Sequence, residues 1–353
     1  MATTTHTHVI NSAQGEVLAE YTIGKKTPPA LKWWLDEYTK EMDVEVDEKV
    51  ITKAPARAAA AITIEPLMDG IMWGQKAPWW ANLKFPHPTK EGARCYCLTG
   101  CVATAIAQVL YYWAKKGKRR GCLATKAYTT QKYKYSVAAM PSVPIFDWAS
   151  MTGTKPTTTA GKKAVAMLSE YCGKAAQADY GYSSTSAPMK NVAPVLKNYF
   201  GMGDARRVEN VSNATLKAEI IAELKKESPV IMCGQSDGSG CHCFVCDGYR
   251  SSDDMFHFLW GWEGDGDGWF KLTALSPNSK DFSARKNAIV GLSPHLLGDV
   301  NGDGRINMSD VTKIINVANS GEYDRAADLN SDGKVDIEDV NKEVDVILGK
   351  EKL

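Results

Sequence analysis

The chain has 353 residues, of which 44% are hydrophobic and 24% charged, and its formal net charge is +1. This balance is that of ordinary globular protein, and its near-zero charge provides no overall field that would attract nucleic acid or an anionic membrane. No apolar run reaches the roughly 18 residues of a bilayer span. The length favours two or three structural units.

The N-terminal part of the chain predicts a short structured segment followed by a linker. Apolar and polar residues alternate over 9–23, which indicates one or two strands, and apolar residues at helical spacing indicate a helix over 30–46. Positions 54–61 read APARAAAA and show no strand pattern. Residues 56–61 are therefore predicted to be a linker that is open to proteolytic cutting.

The central part of the chain has the composition of one folded domain. Residues 101–113 are apolar on most sides and predict a buried helix, and 161–173 and 187–199 also read as helices. After residue 228 the pattern changes to strands, over 229–233, 243–249, 255–260 and 268–272. Helices first and strands later predict an α+β domain.

Nine cysteines are an odd count, so at least one thiol has no partner within the chain. Tetrahedral zinc is one alternative, although the spacings CxC, CxxxC and CHCxxC do not form paired CxxC knuckles. Free, partly buried thiols are the favoured interpretation. The cysteines are Cys95, Cys97, Cys101, Cys122, Cys172, Cys233, Cys241, Cys243 and Cys246.

The C-terminal part contains two acidic loops, 299–310 and 328–339, each followed by a short apolar helix. Both satisfy D-x-N-x-D-G-x5-D, the calcium loop with Asp in the twelfth place. Calcium prefers six to eight oxygen ligands, so two Ca²⁺ ions are predicted. The predicted ligands are Asp299, Asn301, Asp303, Arg305, Asn307 and Asp310, then Asp328, Asn330, Asp332, Lys334, Asp336 and Asp339, with Arg305 and Lys334 contributing backbone carbonyls.

Residues 298–349 resemble a type I dockerin, a module that docks into cohesin partners. The resemblance implies a small α-helical module of paired EF-hand type over 298–353. The usual Ser-Thr recognition pair is absent, because Met308 and Ser309 stand in the first loop and Ile337 and Glu338 in the second. The partner is therefore open between a cohesin-like protein and a cell-surface anchor, and the alternative is a module that serves only stability.

Gly100 and Cys101 precede an apolar helix, which places a thiol at a helix N-terminus. That position lowers a thiol pKa and suits a nucleophile, although a buried structural cysteine is the commoner reason for such a pattern. Of the six histidines, His242 opens an apolar strand after a polar, glycine-containing run. His257 lies mid-strand and reads as a core or supporting histidine.

Several further motifs lie in order along the central part of the chain, at 64–67, 73–78, 99–108, 179–187, 240–249, 256–262 and 267–270. Together they resemble the streptopain-like cysteine proteases of peptidase family C10, within the papain-like superfamily. The resemblance spans 62–295. It implies a two-lobed α+β fold, with a helical lobe and an antiparallel barrel-like sheet.

The resemblance implies a role for each matching residue, protein or peptide substrates, and no cofactor for catalysis. Cys101 attacks the scissile carbonyl and His242 is the base, while Gln75 and the Cys101 N–H hold the oxyanion. Trp260 shields the pair from water. The implied substrate-binding residues are Tyr180, Gly181, Ser183, Ser184, Gly240 and Cys241.

Residues 1–55 resemble the later part of the family's propeptide, so a secreted zymogen is predicted. The polar start is not a signal peptide, and we expect a mature or trimmed form. Leu259 stands where the family carries Asn, a residue that orients the imidazole in papain-like enzymes. Two alternatives stay open, a catalytically weakened or inactive binding protein with a papain fold and a metal-thiolate protein.

Overall fold

The computed structural model describes residues 6–11, 17–23, 61–236, 240–302, 305–324, 326–330 and 332–351. The chain divides into two compact units, Met1–Ala60 and Ala61–Leu353. In the first unit, strands β1 (His6–Asn11) and β2 (Val17–Ile23) pair antiparallel, as the alternating pattern predicts. The helix predicted over 30–46 and nearly all of the predicted linker lie outside the described residues.

The helices of the second unit begin with α1, which starts at the predicted nucleophile. Every residue over 102–114 is buried, which explains the nearly continuous apolar sequence there. A 3₁₀ turn (Met189–Asn191) opens the segment predicted as one helix over 187–199, and α4 adds a helix to those predicted. The helices are α1 (Cys101–Lys115), α2 (Thr159–Ala175), α3 (Val192–Phe200), α4 (Asn213–Leu224), α5 (Met308–Ser320) and α6 (Ile337–Ile347).

Two short hairpins lie beside the helices, and seven strands form the main sheet. The hairpins are β4 (Lys84–Pro86) with β5 (Arg94–Tyr96), and β6 (Tyr128–Thr129) with β7 (Ser136–Val137). The sheet strands are β3 (Thr63–Ile64), β8 (Arg206–Val208), β9 (Val230–Ser236), β10 (Gly240–Arg250), β11 (Met255–Leu259), β12 (Gly268–Phe270) and β13 (Ala284–Val290).

All pairs in the main sheet are antiparallel, in the order β12-β11-β10-β9-β13-β8, with β3 also paired to β10. Among the described strands, β12 and β8 end this path. The sheet is therefore open, whereas the sequence predicted a barrel-like one. Strand β10 is the centre of the sheet because it is long enough, at 11 residues, to pair with three neighbours.

The core is divided between the two faces of β10, because side chains alternate along a strand. Cys243 and Val245 pack with α1 and α2 in the helical lobe, while Phe244 and Cys246 pack with the rest of the sheet and α4. The two faces thus belong to two lobes, as predicted for this fold. No helix within the described ranges is long and apolar enough to cross a bilayer.

Candidate active site

Gly100 positions Cys101 at the first residue of α1. Its φ of 88° lies in the region that favours glycine, and a Cβ there would sit 2.8 Å from Thr185 Cγ2. The Gly100 carbonyl then accepts the Thr104 N–H at 3.1 Å, which begins the helix. The glycine therefore turns the chain abruptly and leaves the thiol at the exposed end of an otherwise buried helix.

Cys101 is half-buried as a residue, and backbone donors surround its buried sulfur. Burial raises the pKa of the Cys101 thiol, and the N–H groups of Cys243, Val102 and Cys101 itself oppose that rise. Burial has the larger effect, so the resting group is a neutral thiol. Chemistry at this sulfur consequently requires a proton acceptor.

The ring of His242 lies on β10 inside an aromatic cluster and is 8% exposed. It stacks on Trp262 at 4.7 Å between ring centroids and contacts Phe282 at 5.2 Å. Its Nε2 lies 2.8 Å from the carbonyl oxygen of Trp260. A carbonyl can only accept, so Nε2 carries the proton and Nδ1 is left as an acceptor.

The surroundings of His242 keep its ring neutral. Burial lowers the pKa of His242 to about 4; the Trp260 carbonyl opposes this shift and the nearby charge of Lys280 adds to it. A neutral imidazole with a free Nδ1 is the form that a general base requires.

Strand β10 links the surroundings of Cys101 to those of His242. Cys241 and Cys243, on either side of His242, line the cavity that also contains Cys101. Trp262, on which the His242 ring stacks, lines a second depression. Of the hydrogen bonds between described residues, none joins Cys101 to His242. Such bonds are commonly long before substrate binds.

The main chain of Trp260 orients His242, and Asp267 holds that main chain. Asp267 accepts the Trp260 N–H at 2.7 Å, and burial raises the pKa of Asp267 to about 6. The indole of Trp260 is fully buried, and its centroid lies 6.2 Å from that of the His242 ring. It therefore supports the ring from within the sheet core. The indole of Trp262 is closer to His242, at 4.7 Å between ring centroids. Asp267 lies in the sequence motif 267–270, for which no role was predicted.

Leu259 does not face His242. Its side chain, 3% exposed, packs in the helical-lobe core together with Cys243 and Val245. The acceptor that an Asn would offer in related enzymes is here provided by the Trp260 carbonyl. The departure at Leu259 therefore leaves the orientation of His242 intact.

We expect Leu259→Asn to lower stability by about 2 kcal/mol without raising kcat, because it buries an amide in an apolar core. Urea unfolding and peptide turnover measured on the same preparation test both parts. Leu259→Met, which conserves volume, is the control and should change either quantity little. A rise in kcat for Leu259→Asn would contradict the role of the Trp260 carbonyl.

Gln75 is half-buried, and its main-chain carbonyl accepts the Thr99 N–H at 3.2 Å. It lines a depression of about 570 Å³ together with Gly261, Trp262 and Lys280. Thr99 is two residues before Cys101, so this bond ties the segment of Gln75 to that of the nucleophile.

A cavity of about 580 Å³ opens on the other side of Cys101, and its lining only partly matches the predicted substrate-binding residues. Cys241 lines it, whereas Tyr180 is fully buried against Phe85 and supports the lobe from within. Gly181 is buried and donates to Thr185 Oγ1 at 3.0 Å. Ser183, Ser184 and Gly240 are exposed, and each is next in sequence or nearly so to a residue that lines the cavity. The lining also includes residues that the sequence did not predict, namely Thr185, Met189, Cys233, Cys243 and Asn287.

All nine cysteines lie in the described part of the chain and all are free thiols. Within that part, no three Cys, His, Asp or Glu side chains group as a metal site. The structure thus has the cysteines as free thiols, which is the favoured interpretation, and no cluster in the described part supports the metal-thiolate alternative.

His257 has a structural role away from the cleft, consistent with its mid-strand position. Its Nδ1 lies 2.7 Å from Oδ1 of Asp247, whose Oδ2 accepts the Met68 N–H at 2.8 Å. Asp247 is fully buried. The pair connects β10 and β11 to the start of the domain.

The C-terminal module packs α5 against α6 over a small apolar core, with one acidic loop before each helix. In the second loop, Asp339 accepts the N–H groups of Leu329, Asn330 and Asp336, and Asp328 accepts those of Asp332 and Gly333. Asp310, the twelfth residue of the first loop, likewise accepts the N–H groups of Asn301 and Asn307. Asp303 lies outside the described residues.

The donor set fits a hard cation. The loop carboxylates Asp299, Asp310, Asp328 and Asp339 are buried, and every predicted donor atom is an oxygen. Such a set suits Ca²⁺ and not zinc or another soft metal.

Comparison with known proteins identifies the larger part of the chain. Residues 73–270 match the Peptidase C10 family. The chain belongs to the peptidase C10 family. Residues 297–342 match the Dockerin type I domain, so this C10 protein carries a dockerin-like module.

Two curated proteins place the chain among characterised C10 relatives. It is 30% identical to streptopain of Streptococcus pyogenes over 259 residues, which are 65% of this chain and 63% of streptopain. It is 27% identical over 297 residues to the thiol protease/hemagglutinin PrtT of Porphyromonas gingivalis, 76% of this chain and 33% of PrtT. The chain thus spans less than two thirds of the length of these relatives.

Two solved C10 structures share the fold. Active interpain A cysteine protease of Prevotella intermedia matches with a TM-score of 0.58 and 32% identity, covering 69% of this chain and 99% of that one. A fragment of prointerpain A matches with a TM-score of 0.53 and 30% identity, covering 80% and 91%. The mixed helix-and-sheet domain described above is therefore the papain-like fold of this family.

Proposed function

We propose that this chain is a cysteine peptidase in which Cys101 is the nucleophile and His242 the base. One observation supports this most directly: the Trp260 carbonyl holds Nε2 of His242 and leaves Nδ1 as a proton acceptor. Burial keeps both Cys101 and His242 neutral at rest. Proton transfer then accompanies substrate binding, when the cleft excludes water.

In the proposed mechanism, the Cys101 proton passes to Nδ1 of His242 and the sulfur attacks the scissile carbonyl carbon. Gln75 and the Cys101 N–H donate to the resulting oxyanion. The C–N bond breaks as His242 returns the proton to the leaving amine, which yields a thioester. Water, deprotonated by His242, hydrolyses the thioester and regenerates the thiol.

Casein cleavage tests this proposal. The full chain is incubated with casein and reductant, with and without trypsin nicking, beside a Cys101→Ala variant. We expect cleavage that the variant lacks, and stoichiometric reaction of Cys101 with an epoxide thiol trap. A folded protein that reacts with the trap but cleaves nothing before or after nicking would contradict the proposal.

Gln75→Ala should lower kcat about 100-fold and change KM little, because an oxyanion donor acts mainly in the transition state. Steady-state kinetics on a fluorogenic peptide measures this split. Exposed Lys76→Ala is the matched control on the adjacent residue and should leave both constants nearly unchanged. A larger effect on KM than on kcat would assign Gln75 to ground-state binding.

We further propose that the chain is a secreted zymogen. Its domains would be a partial propeptide (1–55), a processing linker (56–61), the peptidase domain (62–295) and the calcium module (298–353). The small residues and Arg57 of the linker support this assignment. N-terminal sequencing of the activated enzyme should find new termini within 54–61, and cleavage elsewhere would contradict it.

The dockerin-like module is proposed to bind two Ca²⁺ ions and to depend on them for stability, because its small core buries several carboxylates. EDTA should lower the melting temperature of the module and Ca²⁺ should restore it, as measured by calorimetry with Mg²⁺ as the control cation. Equal melting temperatures in EDTA and Ca²⁺ would contradict calcium binding.

A protein partner is proposed to dock on the beginnings of α5 and α6. Met308 and Ile337 stand at equivalent positions of the two repeats and are 60% and 65% exposed. Exposed apolar side chains at a repeated position suit a binding face. A cohesin is the partner class that the dockerin match supports, and calcium-dependent binding that Met308→Asp and Ile337→Asp abolish is expected.

A further inference from the structure

One row of residues across the main sheet forms a wall of the cavity that contains Cys101. Asn287 of β13 pairs directly with Cys233 of β9, which pairs in turn with Cys243 of β10. Residues directly opposite each other on paired strands point to the same face of the sheet. All three line the cavity of about 580 Å³. Asn287 is therefore the polar member of a row whose other two members are thiols.

Arg207 reaches the same cavity from β8, the neighbouring strand. It pairs with Ile289, which lies two residues after Asn287 on β13. Side chains two residues apart along a strand share a face, so Arg207 and Asn287 are diagonal neighbours on the cavity side. Such neighbours lie about 7–8 Å apart, within reach of long side chains. Strand register thus places a guanidinium and a carboxamide together in the cavity wall, and both residues line the cavity.

Each of these two side chains has a buried atom without a hydrogen bond. Asn287 is 9% exposed, and its Oδ1 has no hydrogen-bond partner among the described residues. The Nε of Arg207 is likewise buried and has no acceptor among them. The wall therefore presents one free acceptor and one free donor. Buried polar atoms of this kind are costly to the fold, so their presence points to a ligand that pairs with them.

The charges that line the cavity are already paired. A terminal nitrogen of Arg207 lies 2.8 Å from the carboxylate of Glu209. Asp179 is the other charged residue in the described lining, and its Oδ1 accepts the N–H groups of Gln131 and Lys132 at 2.8 and 3.1 Å. A charged ligand would add an unbalanced charge, whereas a neutral ligand with one donor and one acceptor matches the two free atoms.

We propose that this cavity selects substrates through a carboxamide side chain, that of glutamine or asparagine. The side-chain carbonyl accepts from Nε of Arg207, and the side-chain NH₂ donates to Oδ1 of Asn287. An apolar side chain would leave both buried atoms unpaired, which is the source of the selectivity. The inference rests on the proposed peptidase function and names the class of substrate that the Cys101 site takes.

Turnover of matched fluorogenic peptides tests the proposal. The peptides differ only by glutamine, leucine or glutamate at one of the four positions nearest the scissile bond, and the nicked chain is used. At one position we expect kcat/KM for glutamine to be about tenfold above that for leucine or glutamate, mainly through KM. Asn287→Leu should remove this preference and Arg207→Met should reduce it, while both variants still cleave the leucine peptide.

Arg206→Met is the matched control, because Arg206 points to the opposite face of β8, is exposed and pairs with Glu219. It should keep the glutamine preference. Equal turnover of the glutamine and leucine peptides at every position would overturn the inference, as would a preference for glutamate or a glutamine preference that survives in Asn287→Leu.

Calorimetric binding of the same peptides to the Cys101→Ala chain separates this inference from the proposed function. We expect the glutamine peptide to bind about tenfold more tightly than the leucine peptide. If the parent chain cleaves no peptide, the proposed peptidase function fails, and the binding measurement still decides the selectivity. Equal affinities for the two peptides would overturn the inference whether or not the chain is active.

Discussion

Replacing His242 with alanine should lower kcat/KM about 1,000-fold, which is the contribution expected of a positioned general base. In the structure this ring combines a fixed Nε2–H, donated to the Trp260 carbonyl, with Nδ1 as an acceptor, and its neighbours on the strand, Cys241 and Cys243, line the Cys101 cavity. Without it, the buried Cys101 thiol has a raised pKa and no described acceptor at hand. Peptide turnover at pH 7 measures the loss.

Packing must be separated from chemistry at this position, because the ring is stacked on Trp262 and contacts Phe282. His242→Phe keeps an aromatic ring there and removes the base, so it should be as inactive as the alanine variant but more stable. The alkylation rate of Cys101 against pH should move to higher pH in both variants. Activity above about a tenth of wild type in His242→Phe would place the base elsewhere.

Asp247→Ala should destabilise the protein by about 3 kcal/mol, since it leaves two buried or partly buried donors without acceptors. These donors are the Met68 N–H and the ring of His257, which lie 2.8 and 2.7 Å from the carboxylate. The carboxylate is fully buried, so water cannot take its place. Urea unfolding of the Cys101→Ala protein measures the change.

Asp253→Ala provides the comparison for Asp247, because Asp253 is an exposed acid that pairs with Arg250. Exposed ion pairs contribute little to stability, so its unfolding midpoint should stay near that of the parent. Equal shifts of the unfolding midpoint in the two variants would mean that the buried Asp247–His257 pair contributes no more to stability than the exposed Asp253–Arg250 pair. Loss of activity in Asp247→Ala at temperatures where it stays folded would instead indicate an unexpected link to the cleft.

The nucleophile helix and the base strand could be predicted because each carries a dense local pattern. Cys101 follows a glycine and begins an apolar helix, and His242 begins an apolar strand; both elements are present. The calcium loops are likewise local, since all six donors of each loop lie within twelve residues. Such signals need only short-range geometry and a single sequence.

The sequence could not show which face of β10 each side chain occupies relative to other strands. The sequence left open whether Leu259 impairs the orientation of the imidazole, and strand register turns its side chain into the helical lobe and brings the Trp260 carbonyl to His242. Tyr180 was expected to contact substrate and is instead packed beneath Phe85. Every residue type has a backbone carbonyl, so no pattern of side chains in the sequence could predict that the Trp260 carbonyl would contact His242.

By itself, the sequence determined the residue types, their order and the local elements that carry them: a thiol at a helix start, a histidine on a buried strand and two acidic loops. Only the tertiary structure decided which groups meet across long separations, such as Asp247 with the Met68 N–H. The physical reason is that hydrogen bonds and buried charges depend on register and helix packing. These arise when distant segments bury their apolar faces together.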